Sequence, residues 1–313
     1  MRGVPVSGLA RLAIIALGTQ LSACGYQPRD QVRVRVGSGP EQVQPAGPYA
    51  ALYLPYAMMT SLAYTPAEQL NADLCPEPAL VGRQSDAAAW MRSLQARNWR
   101  CVFGLSEMRP CPRRYPNCRP FDGPDLHVWR RNTAPCEVVI AYRGVNLREP
   151  GEWPNLRWMF KPPRSGEDTQ IEGLLAASGC RAARNAVTAG HSLGGGHAEA
   201  AAYANGHIRY AYTFNSVPVI GFIDAQTRHR NRQGLGVDVV HEAGDFLPLL
   251  RLLQPASDCN PRVRIVRFNV IPFGLPIIEH NIDAVTRSMA EISRGWHNKP
   301  ALAYRDAVRC AAS

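Results

Sequence analysis

Several features that would define a protein class are missing from this sequence of 313 residues. It contains no uninterrupted apolar run of the roughly 20 residues that a membrane-spanning helix requires. It has no Cys-x-x-Cys pair, no internal repeat and no low-complexity tract. These absences argue against an integral membrane protein, a cysteine-rich zinc domain and a repeat protein.

Lysine is also scarce, since Lys161 and Lys299 are the only two, and nearly all of the net charge of +10 comes from arginine. A charge of this size can attract polyanions. The basic residues are nevertheless scattered along the chain, with no basic helix and no basic patch interleaved with aromatic residues. We therefore expect no nucleic-acid partner. With 46% hydrophobic and 19% charged residues, the composition is that of a globular protein.

The N-terminal segment has the features of a secretory signal. Arg2 and Arg11 precede a short apolar run at residues 12–17, which leads into Leu21-Ser22-Ala23-Cys24. The run is too short to cross a bilayer but is typical of the apolar core of a signal peptide. The sequence Leu-Ser-Ala-Cys resembles the bacterial lipoprotein box, in which the cysteine is acylated and becomes the first residue after cleavage.

This resemblance implies that residues 1–23 are removed and that Cys24 carries a lipid anchor in a bacterial cell envelope. Gly25 follows the cysteine, where an Asp would resemble an inner-membrane retention signal, so the expected location is the outer membrane, on its periplasmic or surface face. The alternative is a plain secretory signal that is cleaved near Ala23.

The rest of the chain divides into a linker and one folded domain. Residues 24–47 are rich in Gly, Gln and Pro and in alternating Arg and Val, which predicts a tether. In residues 48–313, helical patterns alternate with short apolar strands. This alternation predicts an α/β domain with a mainly parallel central sheet and helices on both faces. A hairpin is predicted from two β-type runs, at residues 126–130 and 137–142.

Eight cysteines remain when Cys24 is set aside, and an even number permits up to four disulfides in an oxidising compartment. Four of them lie among prolines in a loop-rich insertion between residues 101 and 136, so we expect bridges to staple that insertion. The sequence leaves the connectivity open. A zinc site is the alternative, although the long and irregular spacings argue against it. The eight cysteines are Cys75, Cys101, Cys111, Cys118, Cys136, Cys180, Cys259 and Cys310.

The segment Gly190-His191-Ser192-Leu193-Gly194 matches the G-x-S-x-G pattern of a nucleophile elbow. In such an elbow a serine occupies a tight turn from a strand to a helix. A short β-branched run precedes the motif and an Ala-rich helical pattern follows it, as this geometry requires. The motif predicts Ser192 as a nucleophile and the Leu193 N–H as an oxyanion donor. The alternative is a plain glycine-rich turn.

A serine hydroxyl needs a base to remove its proton and a carboxylate to orient that base, and the order along the chain is Ser, acid, His. Asp245 is the preferred acid because it follows a strand candidate by a short loop, and the alternative is an exposed turn residue. His280 is the preferred base because it directly precedes a predicted helix. His280 could instead be a cap or surface residue, with His297 as the base. The other candidates are Asp224, Asp238, Asp258, His229 and His241.

Further segments carry a family resemblance: an Ala-rich opening helix that ends in Ala63-Tyr64, and the segments at 138–144, 153–156, 212–218 and 239–245. Together with the elbow, they resemble the class 3 lipase family of α/β-hydrolases over most of the chain. The resemblance implies an α/β-hydrolase fold and hydrolysis of lipid esters, with no metal or other cofactor. It also implies that Ser192, Asp245 and His280 act as the catalytic triad.

One position departs from the family pattern. The family usually has Ser or Thr directly after the Arg-Gly pair that ends its strand, and this chain has Val145. Val145 can still offer its N–H to the oxyanion, but it has no hydroxyl. Because losing one oxyanion donor costs about 2.7 to 4 kcal/mol of transition-state stabilisation, either the activity is modest or another donor substitutes.

Residues 145–170 combine aromatic and basic side chains, among them Trp153, Trp158 and Phe160, which is the composition of a lid that touches a lipid surface. Structural packing is the alternative for Trp153. The sequence therefore predicts a lipid-anchored lipase or phospholipase that works through an acyl-enzyme on Ser192. The competing hypothesis is a catalytically weak or inactive lipase-like envelope lipoprotein that binds or scaffolds. The oligomeric state is left open.

Overall fold

The computed structural model describes residues 28–37, 39–82, 85–105, 125–133, 136–145, 167–180, 186–217, 235–245, 263–269, 280–294 and 296. Within these residues lie nine β-strands, five α-helices and one short 3₁₀ helix, Ala67–Gln69. The strands are β1 Gln31–Val36, β2 Gln42–Pro45, β3 Trp99–Leu105, β4 Leu126–Arg131, β5 Glu137–Tyr142, β6 Ala186–His191, β7 Ile208–Phe214, β8 Gly236–Glu242 and β9 Val263–Phe268. The helices are α1 Ala46–Leu62, α2 Asp86–Ala96, α3 Glu167–Ala177, α4 Leu193–Ala204 and α5 Ile282–Ile292.

All nine strands join one sheet in the order β2-β1-β9-β8-β7-β6-β5-β4-β3. The neighbours from β5 to β9 pair in parallel. The four remaining pairings, at the two ends of the sheet, are antiparallel. The α/β-hydrolase prediction of a mainly parallel sheet is therefore wrong, because half of the pairings are antiparallel and the sheet is mixed.

Short connections explain two of the four antiparallel pairings. β4 and β5 are joined by only five residues, 132–136, whereas a parallel crossover needs a dozen residues or more. The two strands therefore form a hairpin, and the hairpin predicted from the sequence is confirmed. β1 and β2 are likewise joined by five residues, 37–41, and pair as a second hairpin at the opposite edge.

Residues 31–45, which we expected to belong to the tether, instead form β1 and β2. The alternating Arg and Val of this segment is a strand pattern, because successive side chains point to opposite faces of a sheet. Val32 and Val34 are buried on one face, while Arg33 and Arg35 lie on the other and are partly or fully exposed. The strand is held in place by β9, to which β1 pairs antiparallel.

Helices pack against both faces of the sheet, and each face has its own apolar cluster. One cluster combines side chains of α1, α2 and α5 with strand residues such as Val139 and Ala141. The other combines α3 and α4 with the alternate residues of the same strand, Val138 and Ile140. Burial on both faces makes the middle of the sheet a rigid support for the loops that leave its strands.

In the part of the chain that the structure describes, two disulfides connect strands of the sheet to neighbouring segments. Cys75 in the loop after α1 is bonded to Cys101 of β3, and Cys136 before β5 is bonded to Cys180 after α3. Each bridge ties one end of the Cys/Pro-rich insertion to a neighbouring element, and neither bridge crosses it. The five other cysteines lie outside the described residues, as does most of the insertion.

Candidate active site

Ser192 occupies the sharp turn from β6 to α4. Its backbone dihedrals are φ 56° and ψ −126°, a conformation that is costly for a residue with a Cβ. The turn is held from both sides, because the Ser192 N–H donates to the Phe214 carbonyl at 3.0 Å and the Ser192 carbonyl accepts from the Val217 N–H at 3.1 Å. Non-glycine residues persist in such conformations mainly where the surroundings impose them, and these are often functional sites.

Glycines make this turn sterically possible. A Cβ on Gly190 would lie 2.1 Å from the Gly194 carbonyl oxygen, and a Cβ on Gly194 would lie 2.5 Å from the Tyr142 carbonyl oxygen. The incoming strand, the outgoing helix and β5 thus approach too closely for side chains at these positions. The glycine spacing that identified the motif in the sequence corresponds to these contacts.

Asp245 and His280 are in contact, although 35 residues separate them in the chain. The Nδ1 atom of His280 lies 3.2 Å from each carboxylate oxygen of Asp245. The Asp245 side chain is fully buried and that of His280 is 6% exposed. Because a carboxylate accepts, Nδ1 is the protonated nitrogen, and a neutral ring then keeps its lone pair on Nε2. This tautomer is the one that a general base needs.

Asn215 aligns the strand ends that carry Asp245. Its backbone N–H donates to the Val240 carbonyl at 2.8 Å, and its side-chain oxygen accepts from the Glu242 N–H at 2.9 Å. The Asp245 N–H in turn donates to the Glu242 carbonyl. Asn215 has φ 42°, a conformation that Asn tolerates better than most residues. Sequence reasoning missed this role, for which an Asn at a strand end was the available signal.

His280 is placed by helix α5. The side chain of Asn281 caps this helix by accepting from the Asp283 and Ala284 N–H groups. The Ser61 hydroxyl of α1 donates to the Asp283 carboxylate, so the start of α5 is bonded to the end of α1. His280 directly precedes the cap, and its position therefore follows from the packing of α5 on α1.

His191, which directly precedes Ser192, contacts His280. The His191 Nε2 lies 2.6 Å from the His280 carbonyl oxygen, and the two ring centroids are 4.7 Å apart. On its other side, His191 Nδ1 lies 2.7 Å from the Tyr64 hydroxyl. Burial, and secondly the neighbouring His280, hold the pKa of His191 well below its ordinary value of 6.5. Both effects favour the neutral form of His191, and its contact with His280 places His280 next to the elbow.

Both expected oxyanion donors border Ser192. Leu193 is the first residue of α4, and an α-helix leaves the N–H groups of its first turn without acceptors inside the helix. Val145 follows Gly144, and a Cβ on Gly144 would lie 3.0 Å from the Cβ of Ser192. The end of β5 therefore passes directly beside the nucleophile, with Val145 buried.

Of the other candidate acids and bases, Asp238 and His241 lie in the described residues, and the rest lie outside them. Asp238 forms an ion pair with Arg264 in the core, and His241 lies on β8, so neither takes the place of Asp245 or His280.

Among the described residues, no group of three or more His, Cys, Asp or Glu side chains could hold a metal ion. The positions outside the described residues are Cys24, Trp153, Trp158, Phe160, Asp224, His229, Asp258 and His297.

A scan against protein-family profiles gives no match to this chain. A search of curated proteins gives no relative either. The resemblance to class 3 lipases thus stays a prediction from motifs.

Proposed function

We propose that this protein is a serine hydrolase that cleaves carboxylic esters, with Ser192 as nucleophile, His280 as general base and Asp245 as the group that orients His280. The observation that carries the proposal is that the buried Asp245–His280 pair contacts His191, the residue that directly precedes the strained turn at Ser192. A strained serine, an imidazole that can act as its base and a carboxylate that orients the imidazole are the components of acyl transfer through a covalent intermediate.

The reaction begins when the Ser192 Oγ attacks the ester carbonyl carbon while His280 Nε2 takes the hydroxyl proton. The carbonyl oxygen becomes an oxyanion, which the N–H groups of Leu193 and Val145 stabilise. The tetrahedral intermediate then collapses, the bond to the alcohol oxygen breaks, and His280 returns the proton to the departing alcohol. Asp245 stabilises the imidazolium that exists between these two proton transfers.

The second half repeats this chemistry with water. His280 Nε2 takes a proton from water, the resulting hydroxide attacks the acyl-enzyme carbonyl, and Ser192 leaves with that proton restored. The products are the carboxylic acid and the free enzyme. No redox partner is needed, because each step moves only a proton and an acyl group.

Lipid acyl esters are the proposed substrates, as the class 3 lipase resemblance implies, and a lipase or phospholipase is the proposed type of enzyme. An anchor on Cys24 would place the enzyme at the surface of the bacterial outer membrane, next to such substrates. Within the described residues, no helix has the length and apolarity needed to cross a bilayer.

A fluorophosphonate probe tests the nucleophile. The full mature chain with its disulfides formed should be labelled, and Ser192→Ala should abolish labelling. Ser293→Ala is the matched control, because Ser293 lies after the last turn of α5 and donates only to the local Ala290 carbonyl. Labelling that survives in Ser192→Ala would contradict the proposal.

Absence of labelling in the oxidised wild type would also contradict it and would favour the binding or scaffolding hypothesis. For a labelled enzyme, hydrolysis of p-nitrophenyl esters of short and long acyl chains, compared with phospholipid vesicles, identifies the substrate class. Lipase or phospholipase activity requires faster turnover of long-chain or vesicle substrates than of the shortest ester.

A further inference from the structure

We infer that Tyr64 and His191 form a positioning relay, a chain of hydrogen bonds that fixes the backbone of His280 relative to the oxyanion segment Gly144–Val145. The inference rests on the proposed function, since it concerns how the base and the oxyanion donor are kept in register. Neither Tyr64 nor His191 takes part in the acyl transfer itself. Their role is to position groups that do.

The relay consists of three consecutive hydrogen bonds. The Gly144 N–H donates to the Tyr64 hydroxyl oxygen at 3.0 Å. The Tyr64 hydroxyl lies 2.7 Å from His191 Nδ1, and His191 Nε2 lies 2.6 Å from the His280 carbonyl oxygen. The four residues are separated by 80, 127 and 89 positions along the chain, so the relay joins segments that no local interaction connects.

The direction of every bond follows from chemistry. A carbonyl oxygen can only accept, so His191 Nε2 carries a hydrogen and donates to His280. A neutral imidazole then has its lone pair on Nδ1, and Tyr64 must donate its hydroxyl hydrogen there. The Tyr64 oxygen remains an acceptor for the Gly144 N–H. The donors therefore run in one direction, from Gly144 to His280.

This directionality depends on His191 being neutral, since a charged ring would donate from both nitrogens and lose the bond from Tyr64. His191 is 4% exposed, and its ring lies against those of Tyr64 and His280. Among the described residues, two charged side chains contact this group of rings: the Asp245 carboxylate lies 3.2 Å from His280 Nδ1, and the Arg143 guanidinium, which is paired with Asp125, lies 5.6 Å from the Tyr64 ring centroid. Neither of them contacts His191 directly, and the burial of its ring favours the neutral form.

The relay matters for catalysis because acyl transfer requires the base and the oxyanion donors at fixed separations. Displacing a reacting group by about 1 Å can cost about 10²-fold in rate. Tyr64 bonds to the residue before Val145, and His191 bonds to the backbone of the base. A shift at Tyr64 therefore affects both sides of the reacting carbonyl.

The experiment compares kcat and KM for Tyr64→Phe, which removes only the hydroxyl. We expect kcat to fall about 10- to 100-fold with KM nearly unchanged, because the Tyr64 hydroxyl acts through Gly144 and His191. Tyr49→Phe, in the helix α1 that precedes Tyr64, is the matched control and should keep the wild-type kcat. Thermal unfolding of each variant shows whether it remains folded.

Two substitutions at His191 separate the two ends of the relay. His191→Gln keeps a donor near the Nε2 position for the His280 carbonyl, whereas His191→Asn keeps an acceptor near the Nδ1 position for Tyr64. We expect His191→Gln to retain more of kcat than His191→Asn. Tyr64→Phe and His191→Asn should be non-additive when combined, since each interrupts the same chain.

Nitrogen-15 NMR of the histidine rings in the wild-type protein tests the relay without an activity measurement. A neutral Nε2–H tautomer for His191 is expected, and a charged ring or an Nδ1–H tautomer would overturn the inference. So would a folded Tyr64→Phe variant with the wild-type kcat. If the wild type reacts with no fluorophosphonate, the proposed function fails separately, and the His191 tautomer still decides whether the relay exists.

Discussion

Asp238 of β8 and Arg264 of β9 lie directly opposite each other in the sheet, and their side chains form an ion pair that is almost completely buried. The Tyr53 hydroxyl of α1 donates to the same carboxylate at 3.0 Å. The Arg264 guanidinium also lies 5.8 Å from the ring centroid of Tyr49. The first half of α1 is thus attached to the sheet by polar contacts as well as by apolar packing.

Removing one member of this pair leaves a buried charge without its partner. We expect Asp238→Ala to lower the free energy of unfolding by about 3 to 5 kcal/mol, measured by urea denaturation. The matched control is Arg287→Ala, which breaks the exposed pair of Arg287 with Asp86 and should cost about 0 to 1 kcal/mol. Equal losses in the two variants would show that burial does not set the energetics of the Asp238 pair.

Asp245→Asn tests the orienting role of the carboxylate. The amide N–H₂ of an asparagine facing His280 would favour the tautomer with hydrogen on Nε2, which cannot accept the Ser192 proton. We expect the rate of fluorophosphonate labelling to fall about 10⁴-fold, with a melting temperature close to that of the wild type. Asp86→Asn, at an exposed position on α2, should label normally. A wild-type rate in Asp245→Asn would exclude Asp245 as the acid.

Gly190→Ala tests whether the elbow tolerates any side chain. Its Cβ would lie 2.1 Å from a backbone carbonyl oxygen, so β6 or α4 must move, and we expect a loss of about 3 kcal/mol or more in the free energy of unfolding. At Gly206, after the end of α4, an added Cβ meets nothing within 4 Å. Gly206→Ala should therefore change stability by less than about 0.5 kcal/mol. Similar urea midpoints for the two variants would contradict the close approach at the elbow.

The buried histidines His127 and His197 should lower the free energy of unfolding at acidic pH. Burial lowers the pKa of His127 and of His197 from 6.5 to about 4. The unfolded chain takes up a proton on each histidine as the pH falls below 6.5, whereas the folded protein takes up these protons only near pH 4. Stability is therefore full above pH 6.5 and declines as the pH falls towards 4, by up to about 3 kcal/mol for each histidine.

Replacing one of these histidines should make the decline smaller. His197→Leu cannot take up a proton in either state, so its unfolding free energy should depend less steeply on pH between 6.5 and 4. His207→Asn, at an exposed position, is the control and should keep the wild-type slope. Denaturant titrations at several pH values measure both, and an unchanged slope in His197→Leu would contradict a depressed pKa.

Local features of this protein were predictable because they depend on short-range geometry. The glycine spacing around Ser192 predicted a strand, a tight turn and a helix, and the structure has β6, Ser192 and α4 in that order. The hairpin of β4 and β5 followed from two β-type runs and a short loop. Ser85 accepts from the Ala88 N–H and caps α2, a role that serine commonly takes directly before a helix.

The parallel or antiparallel character of the sheet was not predictable in the same way. A strand pattern shows which side chains face the core, but it does not show which strand becomes its neighbour. The alternating Arg and Val of β1 fitted an extended linker as well as a strand until its pairing with β9 was known. β3 was not predicted at all, and its place at the edge depends on pairing with β4.

The sequence by itself determined the elbow, since its glycines leave few conformations open to five neighbouring residues. Only the tertiary structure decided that Asp245 contacts His280 and that Tyr64 contacts His191, 127 residues away. Such contacts arise from the packing of α1 and α5 on the sheet, and packing depends on the whole core. Residues that act through distant partners therefore carry no local pattern by which a sequence could identify them.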